Sequence, residues 1–291
     1  MGRPQKYLSS FDIKDRISSA IFQEIRKILV VFLPARYISS KEGDHKLKTL
    51  PILTAALSLL LFQNTLAQTS VTVEGGATWQ SQNDQRVPGT GGDNFSLVDF
   101  GRGPFASYRL YLAHKFNERH EVRALYAPFA VRLNSQLKQV TRFQNSTFAA
   151  NTDTEGYYKF NSYRLTYAYH FDPVNDWKLA AGFTAKVRDA EVRLTQGSLQ
   201  ESKANVGFVP LAHFQASREI FSNWEFRFDL DAMAAPQGRA IDAGLFVEYS
   251  PTENGFHYYG GYRTVEGGAD NDEVYNFAWI HTAAFGVRLD F

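Results

Sequence analysis

From residue 275 to the last residue the chain alternates strictly. Tyr275, Phe277, Trp279, His281, Ala283, Phe285, Val287, Leu289 and Phe291 fall on one parity, and Asn276, Ala278, Ile280, Thr282, Ala284, Gly286, Arg288 and Asp290 on the other. A period of two predicts a strand, because successive side chains of an extended chain point to opposite faces. The pattern recurs upstream. Tyr108, Leu110 and Leu112 oppose Arg109, Tyr111 and Ala113; Tyr163, Leu165, Tyr167, Tyr169 and Phe171 oppose Arg164, Thr166, Ala168 and His170. Trp177, Leu179, Ala181, Phe183, Ala185 and Val187 oppose Lys178, Ala180, Gly182, Thr184 and Lys186. The cleanest case sets Trp224, Phe226, Phe228 and Leu230 against Glu225, Arg227, Asp229 and Asp231. Further strands are expected at 71–80, 121–133, 205–217, 239–250 and 256–265, with an irregularity at Pro128, which cannot donate to a ladder.

An apolar face opposite a small and charged one suits a strand with lipid on one side and a polar lumen on the other. The connections at 117–120, 172–176, 218–223 and 250–255 are short, whereas 81–104 and 134–157 are long and rich in Gly, Asn and Thr. Together these features predict an all-β fold: a transmembrane, antiparallel, up-and-down β-barrel of ten strands, with eight as the runner-up count. The soluble alternative, an antiparallel barrel or sandwich, does not explain aromatic residues at the strand ends. The last strand resembles that of the bacterial outer-membrane β-barrel proteins, which typically ends in Phe with apolar residues at alternate positions before it, as Phe285, Val287, Leu289 and Phe291 do. That resemblance implies an outer-membrane location, lipid as partner, and insertion by the barrel-assembly machinery through those four residues. Short turns then lie in the periplasm, as do both termini.

Residues 50–62 form an apolar run preceded by Lys46 and Lys48 and followed by Thr65-Leu66-Ala67, the pattern of a secretory signal cleaved after Ala67. The run is shorter than the roughly 20 residues a spanning helix needs. A signal belongs at the start of a chain, yet 46 residues precede Leu47. Leu47 can be encoded by TTG, a bacterial initiation codon, and Lys41-Glu42-Gly43 can encode a ribosome-binding consensus. The expected organisation is a mistranslated leader or disordered extension over 1–46, a signal peptide over 47–67, and the barrel over 68–291. The competing reading of the leader is a cytosolic helix over 11–36, where Ile17, Ile21, Ile25 and Ile28 have suitable spacing.

Composition changes this picture little. The 291 residues are 44% hydrophobic and 15% aromatic, which excludes a disordered chain. Mean hydropathy is −0.32, but alternating walls cancel in any average and such a value does not argue against a barrel. The net charge of +1 draws the chain towards no polyanion, and no nucleic-acid motif is present. With no Cys, disulfides, thiolate metal ligands and thiol nucleophiles are excluded.

Inward parity collects the candidate functional residues: Arg109, Arg123, Arg164, Lys186, Glu225, Arg227, Asp229, Asp231, Asp242, Glu248, Arg263 and Arg288. Lys115, Lys178, Arg188, Glu121 and Asp290 share that parity. Opposed charges at this density in a narrow barrel are expected to pair across the lumen before they line a channel. Asp229-Leu230-Asp231 with Asp242 resembles the paired carboxylates of omptin proteases, but the companion Asp-x-His is missing, so lumen ion pairs are the better reading. His281 alone among the His residues falls towards the outer side, on the lipid-facing parity, and no Ser-His or Asp-His arrangement is readable at the outer rim. The expected function is therefore a barrel with a side-chain-filled polar lumen in a structural or surface-interaction role, without enzymatic activity, cofactor or metal. A narrow solute or ion pore is the first alternative. An outer-leaflet enzyme acting on lipid or peptide is the second. No external ligand can be read from the chain.

Overall fold

A computed structural model describes residues 68–236, 238–251 and 255–291. The leader and signal-peptide readings lie outside the described residues. The strands are β1 (Gln68–Arg86), β2 (Phe95–Ser96), β3 (Phe105–Lys115), β4 (His120–Ala127), β5 (Ala130–Gln136), β6 (Thr141–Phe143) and β7 (Ser146–Phe148). They continue with β8 (Asp153–His170), β9 (Trp177–Gln196), β10 (Leu199–Phe221), β11 (Trp224–Ala235), β12 (Gly238–Tyr249), β13 (Phe256–Asp270) and β14 (Tyr275–Asp290). Every wall pairing is antiparallel between consecutive strands, and β14 pairs with β1 from Ser70↔Asp290 to Arg86↔Tyr275, which closes the sheet. β5 continues β4 along the same partner, β8, after an interruption at Pro128. The wall is thus a closed barrel of ten strands.

Parity decides what each strand shows to its surroundings. The outward face is apolar and unburied: Val73 is 52% exposed, Phe183 62%, Phe208 68% and Phe285 70%. A continuous band of this kind faces lipid, since water would penalise so large a patch. Aromatic residues ring the short-turn end, among them Phe116, Phe171, Phe221, Trp224, Tyr249 and Phe291. On the inner face, polar side chains are buried instead: Glu74, Arg164, Lys186, Asp231, Asp242, Glu248 and Arg263 are all at most 6% exposed.

Two regions are more ordered than the sequence pattern predicts, the start of the expected loop 81–104 and the stretch 188–204, for which no element was expected. β1 extends to Arg86, past a bulge between Gln80 and Gln82. Between β9 and β10 no long loop exists: the ladder runs to Gln196↔Leu199, with Gly197 taking a positive φ of 61° in the tight turn. Val192 and Leu194 are buried at the far end of this hairpin. They pack into an apolar cluster formed with Val87, Phe95, Leu97, Phe100, Leu137, Phe143 and Phe148, all contributed by the segments 87–104 and 137–152. The two long connections therefore fold as a cap with its own core. Leu97 packs so closely on the β8 backbone that a Cβ at Gly156 would meet its Cδ2 at 2.8 Å, so glycine is required there.

Candidate functional site

The barrel interior divides into three levels. At mid-height, four guanidinium groups and four carboxylates from opposite walls interlock. Asp242 on β12 accepts from three arginines, each on a different strand: Arg109 Nη2 at 2.8 Å, Arg164 Nη2 at 2.6 Å and Arg263 Nη1 at 2.7 Å. Asp231 on β11 is directly opposite Asp242 in the ladder, a like-charged pair that would repel. Arg164 removes that conflict by bridging them, with Nη1 2.7 Å from Asp231 and Nε bonded to Ser162 Oγ at 2.9 Å. Thr184 Oγ1 and His213 Nδ1 each lie 2.8 Å from Asp231 Oδ1. Arg123 reaches Asp229 at 3.1 Å. Arg263 also clamps Glu74, with Nε at 2.9 Å and Nη2 at 3.0 Å, and the Tyr259 hydroxyl donates to the same carboxylate at 3.0 Å. Charges removed from water at this depth persist only when paired and hydrogen-bonded, and here each carboxylate has several donors.

Backbone spacing makes room for this level. Phe246 and Tyr259 turn into the lumen and pack edge to face at 5.2 Å between centroids. A Cβ on Gly286 would lie 2.0 Å from Tyr259 Cζ, and one on Gly244 would lie 2.4 Å from Phe246 Cε2. Each ring thus occupies the space a facing side chain would take.

Towards the short turns lies a polar cavity of about 390 Å³, and a second charge cluster lines it. Arg227 Nη1 is 2.7 Å from Glu248, and Arg288 is 2.9 Å from the same carboxylate. His257 lies 3.1 Å from Asp290 and His170 3.1 Å from Glu121. Glu225 pairs with Lys178 at 2.7 Å nearer to solvent. Towards the long loops lies another cavity, of about 440 Å³. Lys186 lines it and stands apart from both clusters, with its ammonium 4.8 Å from the Phe160 ring centroid.

The inward charges singled out in the sequence therefore fall into two clusters and one separate lysine. The lumen is filled at mid-height and hollow at both ends, where side-chain filling was expected throughout. Glu74, Tyr259, His213 and Phe246 were missed. Glu74 could have been found, because it falls on the parity opposite Val71 and Val73.

One expectation about the outer surface is corrected. No Ser-His pair was readable at the rim, yet Ser81 Oγ lies 2.8 Å from His281 Nε2 on the outward face. Ser81 is the extra residue of the β1 bulge, and the closure of β1 on β14 brings it to His281; neither is visible in the local pattern. His281 Nδ1 lies 2.5 Å from the Tyr262 hydroxyl, and Trp279 Nε1 donates to Thr264 Oγ1 at 2.7 Å. Among the described residues no carboxylate lies within 4.0 Å of His281, so the group that would stabilise an imidazolium in a Ser-His nucleophile is absent. The arrangement instead ties the polar tips of an aromatic belt together.

No family model matches the chain, and no curated protein matches it either. Solved structures do. The outer membrane protease OmpT of Escherichia coli is 10% identical, over 79% of this chain and 99% of that one, with a TM-score of 0.47. Ail of Yersinia pestis, an attachment invasion locus protein solved with a heparin analogue, is 12% identical over 77% and 100%, with a TM-score of 0.38. The translocator domain of the autotransporter NalP from Neisseria meningitidis is 13% identical over 83% and 95%, with a TM-score of 0.36. They differ in function and support no particular subfamily. The fold of this chain is a closed, up-and-down antiparallel β-barrel of ten strands, the fold class of the bacterial outer-membrane proteins to which it is similar.

Proposed function

We propose that the chain is an outer-membrane protein with a closed waist, which holds a folded cap at the cell surface and conducts no solute. Its short turns and both ends of the barrel domain face the periplasm, and the cap faces outward. The observation that carries this reading is Asp242 on β12, bonded from across the lumen by arginines of β3 and β8 and from the neighbouring β13 by Arg263. An ion crossing mid-height would have to part these bonds in a region of low dielectric, where each charge left alone costs several kcal/mol. The role that fits such an architecture is structural or surface-interactive. Asp229, Asp231 and Asp242 each hold an arginine of another strand, which fits a role in joining the walls of the lumen.

Reconstitution into planar bilayers tests the proposal. The purified barrel should insert without steady conductance steps. Reproducible ion-selective steps from the wild type would replace this reading with that of a narrow pore.

A further inference from the structure

The barrel wall is incomplete beside the cavity at the long-loop end. β10 pairs with β9 along its whole outer half, as far as Leu199↔Gln196, but with β11 only as far as Ala212↔Ala232. Beyond that point β11 continues to Ala235 with a partner on its β12 side alone. Pro210, which has no N–H to donate, sits where the β10–β11 ladder stops. Val209 and Pro210 on one edge of this gap and Met233 and Ala235 on the other all line the cavity. Phe208, outward-facing and 68% exposed, lines it too, so the cavity reaches the lipid-facing surface.

Inside, the cavity is amphipathic. Gly267, Ala240 and Ala278 hollow out one wall, while Tyr158 and Phe160, stacked at 6.3 Å, form another. β9 supplies two cations. Lys186 is 3% exposed, and among the described residues no carboxylate lies within 4.0 Å of it. Arg188 bonds to the neutral Asn205 Oδ1 at 2.5 Å and likewise has no described carboxylate partner. The other basic groups at this level are neutralised, Lys203 by Glu273 and Arg239 by Glu266. A buried cation without a counter-charge is costly, and the cavity beside it is of a size that holds small ligands.

We propose that this cavity binds an anionic lipid headgroup, phosphate or carboxylate, against Lys186 and Arg188, with its acyl chain passing between β10 and β11 into the bilayer. The inference goes beyond the closed waist and does not depend on it, because the cavity lies wholly on the long-loop side of Asp242.

The test uses the purified barrel in non-ionic detergent and the fluorescent fatty acid cis-parinaric acid. Binding should saturate, and the uncharged methyl ester should bind about tenfold or more weaker, which corresponds to about 1.4 kcal/mol. Lys186→Met should lose the same discrimination while still folding, as judged by heat-dependent gel mobility, because it removes an unpaired cation. Arg188→Gln provides a second variant with the same expected loss. Displacement of the probe by phosphatidic acid assigns a phosphate headgroup; displacement by unlabelled fatty acid alone assigns a carboxylate. Met233→Trp, which fills the gap, should slow association at least severalfold. Equal affinity for acid and ester, or equal affinity in wild type, Lys186→Met and Arg188→Gln, overturns the headgroup site. An unchanged association rate in Met233→Trp overturns the lateral route.

Discussion

Arg164 shows how one residue settles a conflict that the ladder creates. Asp231 and Asp242 are neighbours on adjacent strands, and a single guanidinium holds one with each Nη. Replacing it by Met leaves two facing carboxylates with fewer donors, and breaking a buried pair from one side costs roughly 3–5 kcal/mol. Arg227 differs, because its partner Glu248 keeps Arg288 at 2.9 Å and His257 at 3.6 Å. Arg227→Met should therefore cost only about 1.5–3 kcal/mol, the worth of a charged hydrogen bond. Denaturant midpoints in lipid vesicles should rank wild type above Arg227→Met above Arg164→Met; the reverse order of the two variants would show that Arg164 does not bridge the aspartates. The inward parity of these residues was legible in the sequence because Arg and Asp alternate with aromatic neighbours. Their partners were not, since Arg164 and Asp242 are 78 positions apart and meet only across the closed lumen.

At the scale of elements, glycine and aromatic positions on neighbouring strands act as units. Tyr259 on β13 lies over Gly286 on β14, its paired position, and from there reaches Glu74 on β1. Gly286→Ala should push the ring away and break that bond, at a cost of about 1–3 kcal/mol typical of overpacking. A second substitution, Tyr259→Leu, should relieve the clash, so the double variant should be less unstable than the sum of the two singles in the same vesicle unfolding experiment. Strict additivity would mean that the ring does not depend on the glycine. The end of β14 is a different kind of element. The Phe291 amide donates to Thr69 O at 2.8 Å, while its ring is 59% exposed on the outside. Contacts within the barrel thus give little reason for an aromatic there beyond its place in the aromatic ring at the short-turn end, and we propose that it is also read during insertion. Deleting Phe291 should lower the yield of heat-modifiable barrel in membranes while leaving the unfolding midpoint of refolded protein nearly unchanged. Equal membrane yields would count against that role. The number of wall strands follows from period-two patterning, but the outer ends of β1, β8, β9 and β10 and the cap do not. Phe95, Leu97, Phe100, Phe143 and Phe148 recur with no period, and a cluster assembled from two loops leaves no local signature.

For the molecule as a whole, the cap and the waist are two separate closures, and their contributions can be told apart. The cap core rests mainly on β1, β5, β8 and β9, with Ala278 and Ile280 of β14, and the long-loop cavity beneath it reaches from β8 and β9 round to β14. On the proposed closed-waist reading, the barrier is the charge network at mid-height rather than the cap. Replacing residues 138–150 by a short Gly-Ser linker removes β6 and β7 and takes Phe143 and Phe148 out of the cap. That variant should insert and remain silent in planar bilayers. Arg164→Ser combined with Asp242→Ser removes one charge of each sign, leaves Glu74 with Arg263, and leaves Asp231 with His213 and Thr184. Water can then occupy the vacated volume, and serine hydroxyls satisfy what remains. This double variant should give steady conductance steps, and its selectivity should weaken as salt screens the remaining charges. If the cap variant conducts and the double variant stays silent, the barrier lies in the loops, and the arginines around Asp242 serve only to hold the walls together.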